Sequence, residues 1–444
     1  MKQSKAIYAF LVLLSLILTM PPVHAGVTAG QAGVTRGEME ELKARLERLE
    51  SIVTSQQKVI EEQKQVIRQQ EERLIIAGQQ ESSKKEVERP WSDRIHLGGL
   101  IEVGGGWKNQ KSRSGKNDQE SDITLATVEV HVDAELTDWV KAESVLLYED
   151  ALFGGDDHDG LDVDEAVLTL GNTEKFPLYL ATGKMYVPFG ALLTHFPDDP
   201  LTDIPLALLL GETSEKAVLL GFEKSGLSAA AYVFNGDLEK GEEDHIDDYG
   251  FDIHYEGHFV PEKHVMYGRG EKYAHEQEGG FDYLLGFSYI SNIADSDGLT
   301  EVIEDNLGND EVHEYIPGID GYFHIEYRSI FFDAEYMAAI RTFERNELAY
   351  HGSGATPKVW NFEAGFNYNW LRNLEVVFKY AGSDKAPGFP ESRFGICFNQ
   401  EVFDRVTASI GYVHDEYDDY DPAGDPDEVL DRKDFVFWQL AAEF

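Results

Sequence analysis

Cysteine is nearly absent from this 444-residue chain: Cys397 stands alone, so no intramolecular disulfide can hold the fold. Its thiol reads as a small apolar filler in a strand, with a nucleophile as the rarer alternative. Basic residues are scarce. Lys and Arg total 38 against 82 Asp and Glu, for a formal net charge of −44. That balance excludes nucleic acid as a partner, because phosphate attraction needs a basic surface. It suits a wet surface, a cation-attracting lumen or calcium-bridged loops. Beyond Ala25 no apolar run approaches the roughly 18–20 residues a membrane helix needs. Enzyme signatures are missing as well: there is no HExxH, GxSxG, Walker loop or GxGxxG. Paired carboxylates such as Asp198-Asp199 are expected by chance in so acidic a chain. The expectation is therefore a non-enzyme with no cofactor and no metal centre.

What is present begins with an address. Lys2 and Lys5 precede an apolar stretch from Ala6 to Met20, Pro21 and Pro22 break it, and Val23-His24-Ala25 forms a small-residue cleavage pattern. Residues 1–25 read as a secretory signal peptide, with a retained anchor as the alternative. An exported chain without a spanning helix is periplasmic or a β-barrel.

Residues 26–90 read as a periplasmic coiled coil and linker. One heptad seam runs Met39, Leu46, Val53, Ile60, Ile67, Leu74; the other runs Leu42, Leu49, Gln56, Gln63, Gln70. About five heptads suffice for a coiled coil, and a seam half filled with Gln would be marginal alone. Self-association is the expected remedy, with a homo-trimer favoured by analogy to porins. A solitary amphipathic helix is the alternative.

From Trp91 the period changes to two. Val128, Val130, Val132 and Ala134 alternate with Glu129, His131, Asp133 and Glu135, and the same pattern recurs over 321–328, 332–341 and 361–369. Each segment has one wet and one apolar face. A soluble sandwich would alternate too. Spanning-length segments, aromatics near their ends and a last strand closing on Phe444 favour an outer-membrane barrel. The expected fold over 91–444 is thus an all-β transmembrane barrel of about sixteen antiparallel strands, with tight turns on one side and long acidic loops on the other. Residues 257–281 are long where a tight turn is due, which leaves eighteen strands open.

The connection 188–216 carries Phe196-Pro197-Asp198-Asp199-Pro200 and then an apolar patch, Ile204 to Leu210. Exposed loops do not carry such a patch, so it is expected to fold into the barrel and narrow the pore, unless it meets a neighbouring subunit. Asp198, Asp199, Asp203 and Glu212 are its candidate constriction residues. Alternation places Phe444, Leu440 and Ala442 toward lipid. It places Lys141, Glu143, His324, Glu326, Arg328, Asp333, Glu335, Arg341, Glu363 and Lys379 toward water, where Lys184 is expected too. Opposed charges across a lumen would orient passing solutes; hydrated wall residues are the plainer reading. Acidic clusters such as Asp156-Asp157-His158-Asp159 lack calcium-loop spacing and read as solvated loops, with divalent bridging to lipopolysaccharide as an alternative.

Several segments resemble the legiobactin-uptake type of siderophore porin. They are Val163-Asp164-Glu165-Ala166-Val167-Leu168, Leu180 to Gly190, Asp199-Pro200-Leu201-Thr202, Val233 to Asp237, Ser288 to Gly298 and Phe389 to Arg393. The order of signal peptide, coiled coil and barrel matches as well. The resemblance implies passive, TonB-independent uptake of a ferric siderophore through a sixteen-stranded pore in the outer membrane of a Gram-negative bacterium. It transfers no ligand-contact motif. Two readings stay open beside it: a general or ion-selective porin, which explains the acidity more simply, and a structural barrel that tethers the outer membrane through its coiled coil.

Overall fold

The computed structural model describes residues 94–150, 152–153, 160–197, 205–241, 245–259, 281–368, 373–418 and 429–444. The expected signal peptide and coiled coil lie outside the described residues. The strands are β1 (Ile95–Ser112), β2 (Asn117–Thr137), β3 (Val140–Glu149), β4 (Asp162–Gly171), β5 (Leu178–Tyr186), β6 (Ser214–Lys224), β7 (Leu227–Asn235), β8 (Asp248–Phe259) and β9 (Phe281–Ile290). They continue with β10 (Gly318–Tyr327), β11 (Ile330–Ala339), the short hairpin β12 (Ala349–Tyr350) and β13 (Ser353–Gly354), β14 (Lys358–Tyr368), β15 (Leu374–Asp384), β16 (Ser392–Phe403), β17 (Val406–Glu416) and β18 (Leu430–Glu443). Two helices lie in long connections: α1 (Leu206–Gly211) and α2 (Asp297–Leu307).

All strands except the β12–β13 hairpin join one closed antiparallel barrel, in which β1 pairs with both β2 and β18. Closure runs from Leu100↔Glu443 to Ser112↔Leu430. Phe444 seals the seam, exchanging backbone hydrogen bonds of 3.1 and 3.0 Å with Gly99. The wall has sixteen strands, because β8 pairs directly with β9, from Gly250↔Ile290 to Phe259↔Phe281. The extra hairpin considered for 257–281 has no place in it.

Alternation decides which way each residue points. In β2, Val128, Val130 and Val132 pair with Ile101, Gly99 and Leu97, while Glu129, His131 and Asp133 share the opposite face. Leu97, Val218, Leu285, Phe378, Ile410, Leu440 and Phe444 are exposed on the outside. An apolar exterior with backbone groups paired all round is what lipid demands of a sheet. Tight turns close one end. Ser225 and Gly226 both have positive φ, 55° and 82°, the two-residue geometry that matches strand twist.

The interior is partly solid. One apolar cluster joins Val187 and Phe189, the α1 residues Leu206, Ala207 and Leu210, and Ile293, Leu299 and Ile303 from the β9–β10 connection. A second fills the inner face of β15 to β18 with Phe196, Val377, Cys397, Val413, Phe435 and Phe437. Cys397 is therefore a core residue, wholly buried.

Gly411 shows how tight the second cluster is. A Cβ there would meet the Phe437 ring at 2.3 Å and the Ile396 carbonyl oxygen at 2.9 Å. Gly411→Val is expected to cost about 1–3 kcal/mol through overpacking. Heat-modifiability on semi-native gels should show a lower unfolding midpoint, whereas an unchanged midpoint would mean that this cluster yields.

Candidate functional site

The connection after β5 turns into the barrel and runs along its inner wall. Its first residues are held by buried carboxylates that accept hydrogen bonds from the loop's own backbone. Glu335 on β11 is 2 % exposed. One of its oxygens accepts the N–H groups of Ala191 and Leu192 at 2.9 Å each, and the other that of Leu193 at 3.3 Å. The loop is shaped for this. Gly190 and Leu192 both have positive φ, 83° and 52°, which turns successive N–H groups toward one anion. Left-handed backbone at Leu192 costs of order 1–2 kcal/mol, so the geometry persists because the carboxylate over-determines it.

Glu363 on β14 grips the next turn. It accepts the Thr194 hydroxyl at 2.9 Å and the His195 N–H at 2.7 Å, and pairs with the Lys379 ammonium at 3.0 Å. The Lys379 ammonium also donates to Thr194 Oγ1 at 3.2 Å and lies 4.3 Å over the Phe196 ring. Asn361 and Asn399 donate to the carbonyl oxygens of Leu193 and His195, at 3.2 and 2.7 Å. The His195 ring stacks on Phe331 at 3.8 Å between centroids, with Nε2 3.0 Å from Asp333 and Nδ1 3.3 Å from Glu375. Burial opposes the imidazolium. Hydrogen bonds and charge from Asp333 and Glu375 outweigh it, raising the His195 pKa from 6.5 to about 10.

This strap, with the clusters behind it, fills the side of the lumen facing β5 to β7 and β10 to β18. The inner face of β2 to β4 stays open. Asp133, Glu135, Lys141 and Glu143 are exposed there, and Glu129, His131 and Glu165 are partly exposed. Asp133 lies directly opposite Glu143. Two like charges so placed need water and mobile cations between them. The bases on the other side are already engaged: Lys379 by Glu363, Arg393 by Asp415 through two hydrogen bonds of 2.7 and 2.8 Å, and Lys433 by Asp415 at 3.3 Å.

Of the residues singled out in the sequence, Glu335, Glu363, Lys379 and Asp333 come together at the strap, and Glu326 faces inward on β10. Asp198, Asp199 and Asp203 lie outside the described residues. Glu212 ends α1, where its carbonyl oxygen accepts the Asp297 N–H at 2.9 Å. Three expected lumen bases are elsewhere. Arg328 occupies the β10–β11 turn with φ 61°, its guanidinium over Tyr327. Arg341 is exposed beyond the end of β11 and pairs with Glu314 at 3.3 Å. Lys184 shares the outward face of Leu178 and Leu180, sits opposite Lys216, and donates to the Val163 carbonyl oxygen at 2.9 Å. His195, Thr194, Asn361, Asn399 and Glu375 complete the site and were not expected from the sequence. Parity alone would have turned Glu375 and Asn399 inward; the loop residues carried no such signal.

A closed sixteen-strand antiparallel barrel with a connection folded against its inner wall is a fold shared with outer-membrane porins. Among solved structures, the anion-selective porin from Comamonas acidovorans is similar over 79 % of this chain and 99 % of its own, at 9 % identity and a TM-score of 0.50. Salmonella typhi OmpF, solved in complex with daunomycin, is similar over 79 % of this chain and 97 % of its own, at 12 % identity and a TM-score of 0.50. At these identities the likeness is one of fold. No family model matches the chain. Among curated proteins, a UPF0422 protein of Coxiella burnetii is 24 % identical over 345 residues, which is 76 % of this chain and 67 % of that protein. A UPF0422 protein of Legionella pneumophila strain Lens is 25 % identical over 316 residues, 67 % of this chain. The match spans about half the length of that Legionella relative, 54 %.

If the carboxylates position the loop, removing one should loosen it. Glu335→Ala strands three backbone donors, at about 1–3 kcal/mol for each that finds no partner. Single-channel records should then show larger and noisier currents, with Glu335→Gln in between. For His195 the folded pKa lies above the unfolded one. Its contribution is therefore full below about pH 6.5 and is lost as pH rises through about 10. Wild-type current noise should rise across that upper window, and His195→Phe, which keeps the ring stack, should abolish the rise.

Proposed function

We propose that the chain forms a passive channel of the Gram-negative outer membrane, with tight turns toward the periplasm and long loops outside, and that its conduit favours cations and neutral solutes. The supporting observation is the open acidic wall of β2 to β4 facing a lumen side filled by the strapped loop. Glu129, Asp133, Glu135, Glu143 and Glu165 outnumber His131 and Lys141 on that wall. A narrow water-filled path lined by one sign of charge concentrates the opposite ion.

Charge narrows the range of ferric siderophores that could pass. An anionic ferric siderophore would need free bases along its path, and Lys379, Arg393 and Lys433 are already paired with carboxylates. The acidic wall suits a neutral or cationic ferric chelate. A self-associating coiled coil in the periplasm rests on the heptad seam, and its trimeric state on analogy to porins; both stand as part of the same proposal.

Reversal potentials in a KCl gradient across planar bilayers test the reading. Wild-type protein should prefer potassium over chloride. The triple variant Glu129→Gln, Asp133→Asn, Glu143→Gln should lose that preference several-fold while conductance persists. A chloride-selective wild type would refute the acidic conduit, and a sealed bilayer would favour the tethering alternative. Liposome swelling with ferric chelates of matched size and graded charge should rank cationic and neutral above anionic.

A further inference from the structure

Behind the strap, one side chain does not fit the network. Asp320 on β10 is 0 % exposed, and neither carboxylate oxygen has a hydrogen-bond partner. Its neighbour Asp252 on β8 is the opposite case. Asp252 has His254 at 2.7 Å on one oxygen, and accepts the Ser288 hydroxyl at 2.9 Å and the Tyr322 hydroxyl at 2.8 Å on the other. Ser288 is the residue directly opposite Asp320 across the β9–β10 ladder, yet its hydroxyl is spent on Asp252. Its oxygen also accepts the Gly190 N–H at 3.1 Å, which places the strap over this spot. On the other flank Asp320 pairs with Met337, whose thioether offers no proton. Glu335 stands two residues from Met337 on the same inner face and takes three amide protons from the strap but no charged partner.

The charge count is uneven. Asp333 is faced by His195 and by His324, and Asp252 by His254. Asp320 and Glu335 have no cationic side chain against them among the described residues. A buried carboxylate without proton donor or counter-charge costs several kcal/mol or more, so it either holds a proton or is met by a cation from outside the chain. A larger organic cation has no room at a side chain with no exposed surface. Among the described residues no three His, Cys, Asp or Glu side chains converge as a metal site would need. That argues against Ca2+ or Zn2+, which take more protein ligands.

We propose that Asp320 binds an alkali cation beneath the strap, with Glu335 as the second carboxylate and neutral oxygens completing the shell. Glu335 then faces two ways, holding the loop's amide protons on one side and the ion on the other. Occupancy would couple the ionic medium to the seating of the constriction loop. The site is separate from the open wall of β2 to β4 and does not depend on the selectivity proposed above.

Two measurements on the full chain decide it. Thermal unfolding is followed in NaCl or KCl against N-methylglucamine chloride at equal ionic strength. The midpoint should rise saturably with the alkali ion, and Asp320→Asn should remove that dependence. Equal midpoints in all three salts for wild type, or an undiminished alkali effect in Asp320→Asn, would overturn the site. Crystals soaked in thallium(I) should give an anomalous peak within hydrogen-bond distance of the Asp320 carboxylate. This readout needs no variant, so poor folding of Asp320→Asn leaves the test intact, and the absence of a peak counts against the proposal.

Discussion

Two buried carboxylates, Glu335 and Glu363, determine where the lumen is open. Each accepts main-chain or hydroxyl protons from residues 191–195, and together they hold the loop against β11 and β14. A carboxylate buried beneath a loop must find donors or be expelled, and a loop inside a barrel must find acceptors. Here each requirement meets the other. Charge-assisted hydrogen bonds of this kind are worth roughly 1.5–3 kcal/mol each, enough in combination to fix a segment that contains an unfavourable Leu192 backbone. The apolar residues that follow, Leu206, Ala207 and Leu210, then pack on the same side and leave the β2–β4 face to water.

The barrel makes this arrangement possible because closure removes every alternative. With β1 paired to β18 and Phe444 bonded to Gly99, the barrel wall is left with no open strand edge. Inside, polar groups must be matched by the wall, by the loops or by solvent. The filled half solves this with pairs such as Arg393–Asp415, and the open half with water around Asp133 and Glu143. The acidity of the chain thus has two characters. Inside the filled half Asp333, Glu363 and Asp415 are met by internal partners; on the open wall Asp133 and Glu143 face solvent.

Much of the wall was legible in one sequence because a strand's period is local. Val128 to Ala134 against Glu129 to Glu135 fixes a face without reference to any other strand. Glu335, Glu363 and Lys379 were turned inward on the same ground. Where strands end is less visible: Arg328 and Arg341 continue the alternating pattern but lie past the last paired residues, so parity no longer describes them. Lys184 went astray differently. Its own parity with Leu178 and Leu180 points outward. The grip on the loop could not be read at all. Its hydrogen bonds join residues 142 to 204 positions apart, and nothing in Thr194 or His195 names Glu363 or Glu375 as a partner. The apolar patch at Leu206 to Leu210 did announce that the connection is buried, though not which wall receives it.

The most direct test of the account is amide hydrogen exchange at Ala191, Leu192, Leu193 and His195 in the native protein in lipid nanodiscs. If wall carboxylates accept these protons, exchange should be slowed to rates typical of the barrel strands. Exchange at the rate of an exposed loop would show that the segment is not held, and the lumen geometry built on it would fall.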